Sequence, residues 1–215
     1  MPLPPPPLVI GVLGGIASGK SWVAQRLCGP AGVLIDADAI ARAVLHSPQV
    51  RSELRQAFGP AIETPAGELD REALAARVFS DRSAKERLES FTHPWIRARI
   101  RARLEEARAA RVPRIVLDVP LLLENEASHG LTEQCHELVF VDSDPAQREA
   151  RAIATRGWKP GEVARREALQ LPLEAKRARA KHCIANFGDL AALARATDQC
   201  SAQMNAPPRT QTDPH

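Results

Sequence analysis

Tyrosine is absent from this 215-residue chain, and aromatic residues reach only 4%. Lysine is scarce too: Lys20, Lys85, Lys159, Lys176 and Lys181 stand against a much larger set of arginines. With alanine abundant, that bias reads as base composition of the source genome, so the arginine excess carries no functional inference. Net charge is only +3, which excludes duplex nucleic acid as the expected main partner. The cysteines at 28, 135, 183 and 200 lie far apart with no C-x-x-C. A metal or disulfide framework is therefore not expected, and reduced thiols fit a cytoplasmic protein. The opening Met1-Pro2-Leu3-Pro4-Pro5-Pro6-Pro7 has neither the basic region nor the apolar core of a signal peptide. No apolar run approaches bilayer length, so no membrane partner is expected.

What the chain does have is a glycine loop. Leu8-Val9-Ile10-Gly11-Val12-Leu13 reads as a buried strand, and Gly14-Gly15-Ile16-Ala17-Ser18-Gly19-Lys20-Ser21 fits G-x-x-x-x-G-K-[ST]. Trp22 to Cys28 then reads as a helix. In that context glycines let several backbone N–H groups converge, and the helix terminus adds partial positive charge. Gly14, Gly15, Ala17, Ser18, Gly19, Lys20, Ser21 and the adjoining Trp22 form the candidate nucleotide-binding set. Lys20 is expected to reach the β- and γ-phosphates, and the Ser21 hydroxyl to ligate Mg²⁺.

Further strands are expected at 33–35, 114–120 (continuing into Leu121 to Glu124), 138–141 and 183–185. Helices are expected at 39–45, from Ser47-Pro48 to Phe58, and from an Asp70 cap to Phe79. More follow at 81–111 with a break near Thr92-His93-Pro94, then at 145–155, 160–170, 173–181 and 188–197. Strands alternating with helices predict an α/β fold, a doubly wound parallel sheet of five strands. It forms a single domain over 8–195, with its core in about 8–42 and 112–195. The strandless stretch of about 43–111 reads as a helical substrate-binding insertion. Residues 1–7 and 198–215 are expected to be flexible ends.

In such sheets ligands sit at the carboxyl ends of strands. Asp36 and Asp38 follow the second strand, and either can serve as the base that accepts or orients an attacking hydroxyl proton. An N-cap for the following helix is an equally good use of Asp38. Asp118, behind Ile115-Val116-Leu117, has the approach of a Mg²⁺-binding acid. Its neighbour is Val119 rather than a glutamate, and N-K-x-D is absent, which weakens ATPase and GTPase readings. Arg148, Arg151 and Arg156 are candidates for meeting phosphoryl charge from a mobile segment, Arg151 foremost. Arginines 97 to 111 read as a solvated face. His93, from the residues alone, reads best as a buried histidine bonded to backbone.

Taken together these motifs resemble the dephospho-coenzyme A kinase family. Gly11-Val12-Leu13-Gly14-Gly15-Ile16-Ala17-Ser18-Gly19-Lys20-Ser21 is similar to that family's G-L-T-G-G-I-[GA]-S-G-K-S, and Asp36-Ala37-Asp38-Ala39-Ile40-Ala41-Arg42 to its D-A-D-x-I-A-R. His93-Pro94-Trp95-Ile96, Asp118-Val119-Pro120-Leu121-Leu122-Leu123-Glu124, Arg166 to Gln170, Lys176 and Asn186-Phe187-Gly188 follow in order. The resemblance implies a three-layer P-loop kinase fold with a lid at about 146–172. It implies ATP and Mg²⁺, and transfer of the γ-phosphoryl group to the ribose 3′-hydroxyl of dephospho-CoA. It places the catalytic base on Asp38, with Lys20 and Arg151 also catalytic. Asn186 falls near the adenine, His93 and Pro120 line the acceptor site, and Ser21 and Asp118 serve the metal. Leu13, Trp22 and Lys181 depart from the family pattern, Lys181 by a charge reversal. A nucleoside or nucleotide kinase, or a non-catalytic nucleotide switch, are the alternatives. No motif bears on oligomeric state.

Overall fold

The computed structural model describes residues 5–205. The expected flexible stretches at 1–4 and 206–215 lie outside the described residues. Five strands form one sheet: β1 (Leu8–Gly14), β2 (Val33–Asp36), β3 (Arg114–Asp118), β4 (Glu137–Asp142) and β5 (His182–Ala185), in the order β2-β3-β1-β4-β5. β1 pairs in parallel with β3 on one side and β4 on the other, and β4 with β5. With Val9, Ile10, Val12, Val116, Val139 and Ile184 at most 1% exposed, the strands are buried on both faces. That is why they read as continuous apolar runs rather than alternating ones.

The chain divides into two compact units, one of residues up to Leu34 and from Ala107 on, the other Ile35–Glu106. In the first, α1 (Lys20–Cys28) and α10 (Leu190–Asn205) cover one sheet face through Val23, Ala24, Leu27, Leu193 and Cys200. Helix α10 runs past the expected end at Thr197, because its last turns have partners. Asp198 pairs with Arg26 at 2.6 Å, and Arg114 donates to Ser201 Oγ at 2.8 Å and to Asn205 Oδ1 at 2.9 Å. Also in this unit are α6 (Glu126–His129), α7 (Pro145–Arg156), α8 (Glu162–Glu167) and α9 (Leu173–Arg179). β3 stops at Asp118 instead of running toward Glu124. Leu121 takes a left-handed φ of 56° and its carbonyl accepts from Asn125 N–H, so Leu122 and Leu123 turn inward from a loop.

The second unit contains α2 (Ala37–Leu45), α3 (Pro48–Phe58), α4 (Arg71–Ser80) and most of α5 (Arg82–Ala109). Its core is Val44, Val50, Leu54, Ile62, Leu69 and Leu74. α5 is continuous through Pro94, where a break was expected. Ser90, whose carbonyl loses its partner to the proline, is exposed, as is Pro94. Leu88, Phe91 and Ile96 pack on the unit's core on either side of it. Packing of one face carries the helix across a residue that local propensity treats as a stop.

Candidate active site

β1 delivers the glycine loop, and α1 begins inside it at Lys20 with Gly19 as its N-cap. No side chain caps this helix, and its first turn carries no acid. The usual satisfaction of a helix N-terminus is thus missing, which leaves its N–H groups and dipole to a bound anion. Gly19 sits at φ 94°, and a Cβ there would meet Asn186 Nδ2 at 2.7 Å, so only glycine suits the position. Ala17, at φ 56°, holds left-handed backbone without being glycine, a strain of the kind found at ligand clamps.

Lys20 lies along the loop, its Nζ donating to Gly14 O at 3.1 Å and Gly15 O at 2.6 Å. Burial pulls its pKa down to about 8. The Asp118 carboxylate opposes that, while the charges of Lys176 and Arg156 add to it. Lys20, Lys176, Glu124, Val119 and Leu121 line one small cavity. Lys176 is held there by Glu124 Oε1 at 2.7 Å and Gln170 Oε1 at 2.9 Å.

Asn186, buried behind β5, donates from Nδ2 to Ser18 O at 2.8 Å and, through its own N–H, to Asp142 O at 2.7 Å. It therefore pins the loop to the sheet edge. Arg151 of α7 donates to Ala17 O at 3.5 Å, Gln147 Oε1 at 3.2 Å and Asn186 Oδ1 at 3.4 Å. Three of the sequence-derived residues, Lys20, Arg151 and Asn186, thus meet on one loop. Arg148, one turn before Arg151, pairs with Glu167 of α8, whose Oε1 also accepts from Ile16 N–H at 2.7 Å. Glu167 and Glu124 were not among the sequence-derived site residues. Glu167 lies 151 positions from the amide it serves, and no local pattern signals such a pairing.

Ser21 is exposed and Asp118 is buried at the end of β3. Among the described residues no three His, Cys, Asp or Glu side chains converge on a metal-sized site. One hydroxyl and one carboxylate, completed by phosphate oxygens and water, is a donor set that suits Mg²⁺ rather than a transition metal. Pro120 is exposed beside Leu121. Trp22 packs at the edge of the sheet-unit core with Arg26 at 5.6 Å over its ring, so its indole finds room without disturbing the loop. Leu13 is buried, and Lys181 pairs with Glu137 Oε1 at 2.7 Å, which absorbs the charge reversal locally.

The other candidates belong to the second unit. Asp36 is the N-cap of α2, its Oδ1 accepting from Ala39 N–H at 2.9 Å. The capping role open to Asp38 is therefore filled by its neighbour. Asp38 stands in the first turn, exposed, and its carboxylate makes no hydrogen bond to any described residue. His93 is exposed on α5 rather than buried against backbone. This unit also has an open cavity of about 450 Å³ lined by Phe58, Ile62, Ala73 and Arg77, which holds none of the candidate residues.

Residues 8–192 match the family profile of dephospho-CoA kinase. The chain belongs to the dephospho-CoA kinase family. It is 41% identical over 202 residues to the dephospho-CoA kinase of Deinococcus radiodurans, covering 94% of each chain. With that of Geobacter sulfurreducens it shares 39% over 196 residues, 91% of this chain and 98% of the relative. Among solved structures it superposes on TT1252 from Thermus thermophilus with a TM-score of 0.72 at 35% identity, over 94% of this chain and 100% of that one. The dephospho-CoA kinase from Campylobacter jejuni shares the fold, at TM-score 0.67 and 24% identity over 91% and 96%. A dephospho-CoA kinase family member with this five-stranded parallel sheet has the α/β P-loop kinase architecture.

Proposed function

We propose that this chain transfers the γ-phosphoryl group of ATP to the ribose 3′-hydroxyl of dephospho-CoA, giving CoA and ADP, the closing step of coenzyme A synthesis. Family membership carries the reaction, ATP-dependent phosphorylation of dephospho-CoA. The observation that supports its place is the uncapped α1 terminus under a glycine loop whose lysine rests on the loop's own carbonyls. On binding, Lys20 exchanges Gly14 O and Gly15 O for phosphate oxygens, and the N–H groups of the loop receive the rest of the triphosphate charge.

The 3′-oxygen attacks the γ-phosphorus as the bond to the ADP oxygen breaks, and the hydroxyl proton passes to a carboxylate. Asp38 is that carboxylate: it is exposed, unbonded and relieved of capping by Asp36. In a loose transition state little proton removal is needed, so Asp38 chiefly orients the hydroxyl. Arg151 meets charge on the transferring group from α7. His93 and Pro120 contact the acceptor, and Asn186 acts behind the loop. Ser21 and Asp118 would hold Mg²⁺, which would supply neutralisation of phosphate charge. Residues 43–111 act as the acceptor-binding insertion and 146–172 as the lid that excludes water. The enzyme works in the cytoplasm on small molecules, without nucleic acid or membrane.

A coupled assay of ADP release with purified protein, ATP and Mg²⁺ tests the reading. Dephospho-CoA should stimulate turnover far above a panel of nucleosides and nucleotides. Stimulation by a member of that panel and not by dephospho-CoA assigns the chain to another small-molecule kinase. No stimulation by any acceptor favours the nucleotide switch.

A further inference from the structure

We propose that Glu167 is a positioning residue for the phosphate loop, holding the Gly15–Ile16 peptide in place while Lys20 changes partners. The inference rests on the reading of that loop as the ATP site.

The Gly15–Ile16 peptide unit is gripped at both ends. Its N–H donates to Glu167 Oε1 at 2.7 Å, and its C=O accepts from Lys20 Nζ at 2.6 Å and from Ser18 N–H at 3.3 Å. Phosphate binding calls Lys20 away from that carbonyl. A peptide flanked by glycine then has little steric resistance to rotation, and the loop's shape depends on what remains. What remains is the longer Ser18 N–H bond to the carbonyl, at 3.3 Å, and the Glu167 carboxylate on the amide at 2.7 Å.

Three observations support a built contact. Glu167 and Arg148, bonded through the same Oε1, have side chains only 16% and 5% exposed. A carboxylate so placed would repel phosphate if unpaired, and Arg148 neutralises it, so the acceptor reaches the loop without net negative charge. Gly15 has no left-handed φ to explain it. A Cβ there would lie 2.6 Å from Arg148 Nη1 and 2.7 Å from Glu167 Oε1, so the glycine serves the close approach of this pair. Among the described residues, Ala17 and Gly19 N–H make no such bond. The Ile16 amide is committed to α8 while its neighbours stay available to a ligand.

Two double variants separate acceptor from charge and packing. Glu167→Gln with Arg148→Met removes the ion pair but keeps an oxygen for Ile16 N–H. Glu167→Leu with Arg148→Met removes the pair at similar volume and leaves no acceptor. Calorimetric titration with ATP and Mg²⁺ alone should give the Gln/Met protein a Kd within about threefold of wild type, and the Leu/Met protein one weaker by about tenfold or more. KM for dephospho-CoA should move in neither. Equal ATP affinity in the two variants, or a matching rise in both KM values, overturns the proposal. Amide hydrogen exchange on the wild-type protein needs no variant to fold. Ile16 should be protected without ligand and remain so with ATP, whereas Ala17 and Gly19 gain protection only with ATP. Fast exchange at Ile16 in the ligand-free protein overturns the proposal too. ATP binding and exchange are read without acceptor, so absence of dephospho-CoA turnover counts against the functional reading and not against this one.

Discussion

Raising the pH from 7 to 9 should disarm the phosphate loop. Burial, partly opposed by Asp118 and reinforced by Lys176 and Arg156, brings Lys20 from 10.5 down to about 8. The difference corresponds to about 3 kcal/mol against the ammonium form. In the free enzyme about nine-tenths of Lys20 is then charged at pH 7 and about one-tenth at pH 9. Only the ammonium can bind phosphate oxygens, so kcat/KM for ATP should fall about tenfold across that interval. kcat should fall later, because bound phosphates favour the charged lysine. An unperturbed lysine would lose only a few per cent over the same range. Thiols add no limb here, with Cys135 pushed up to about 12 and Cys200 to about 11 by burial. The control is Lys20→Arg, whose guanidinium does not titrate in this window. Whatever activity it retains should lack the alkaline limb. A kcat/KM flat to pH 9.5 in the wild type, or a limb that survives in Lys20→Arg, refutes the reasoning.

The same burial has a cost in stability. Between about pH 8 and 10.5 the unfolded chain binds more protons at Lys20 than the folded one, so this residue's contribution rises with pH there and is least favourable below pH 8. Lys20→Met should therefore stabilise the ligand-free protein at pH 7 by about 1 kcal/mol in urea melts, net of two lost hydrogen bonds, while ATP binding is lost. Asp38→Asn should cut turnover by about 100-fold or more with ATP Kd and melting temperature unchanged. Asp36→Ala should do the reverse, costing about 1 kcal/mol through the lost N-cap with turnover largely kept, as parallel melts and assays will show. Ending the chain after Thr197 removes Asp198, Cys200, Ser201 and Asn205 from their contacts with Arg26, the sheet core and Arg114. It should lower stability by about 2–4 kcal/mol, against little change if those residues were a loose tail.

Within one window of sequence, local rules were enough. The apolar runs at 8–13, 114–118 and 138–141 became buried parallel strands because no polar alternation interrupts them. The glycine pattern placed a loop between β1 and the uncapped start of α1 because its geometry is set by consecutive residues. Asp70 capped α4 as its spacing required, through Glu72 and Ala73 N–H. What the tertiary structure decided was every choice between two locally equal options or between distant partners. Asp36 rather than Asp38 took the cap. α5 crossed Pro94 because its apolar face had a core to bury in, and α10 outran its expected end because Arg114 and Arg26 waited beside it. Glu167 met Ile16, and Lys176 met Glu124, only because the sheet order β3-β1-β4 brings the segments after β4 back onto the loops after β1 and β3. A hydrogen bond spanning 151 residues is specified by topology and packing, and neither leaves a period in the sequence to read.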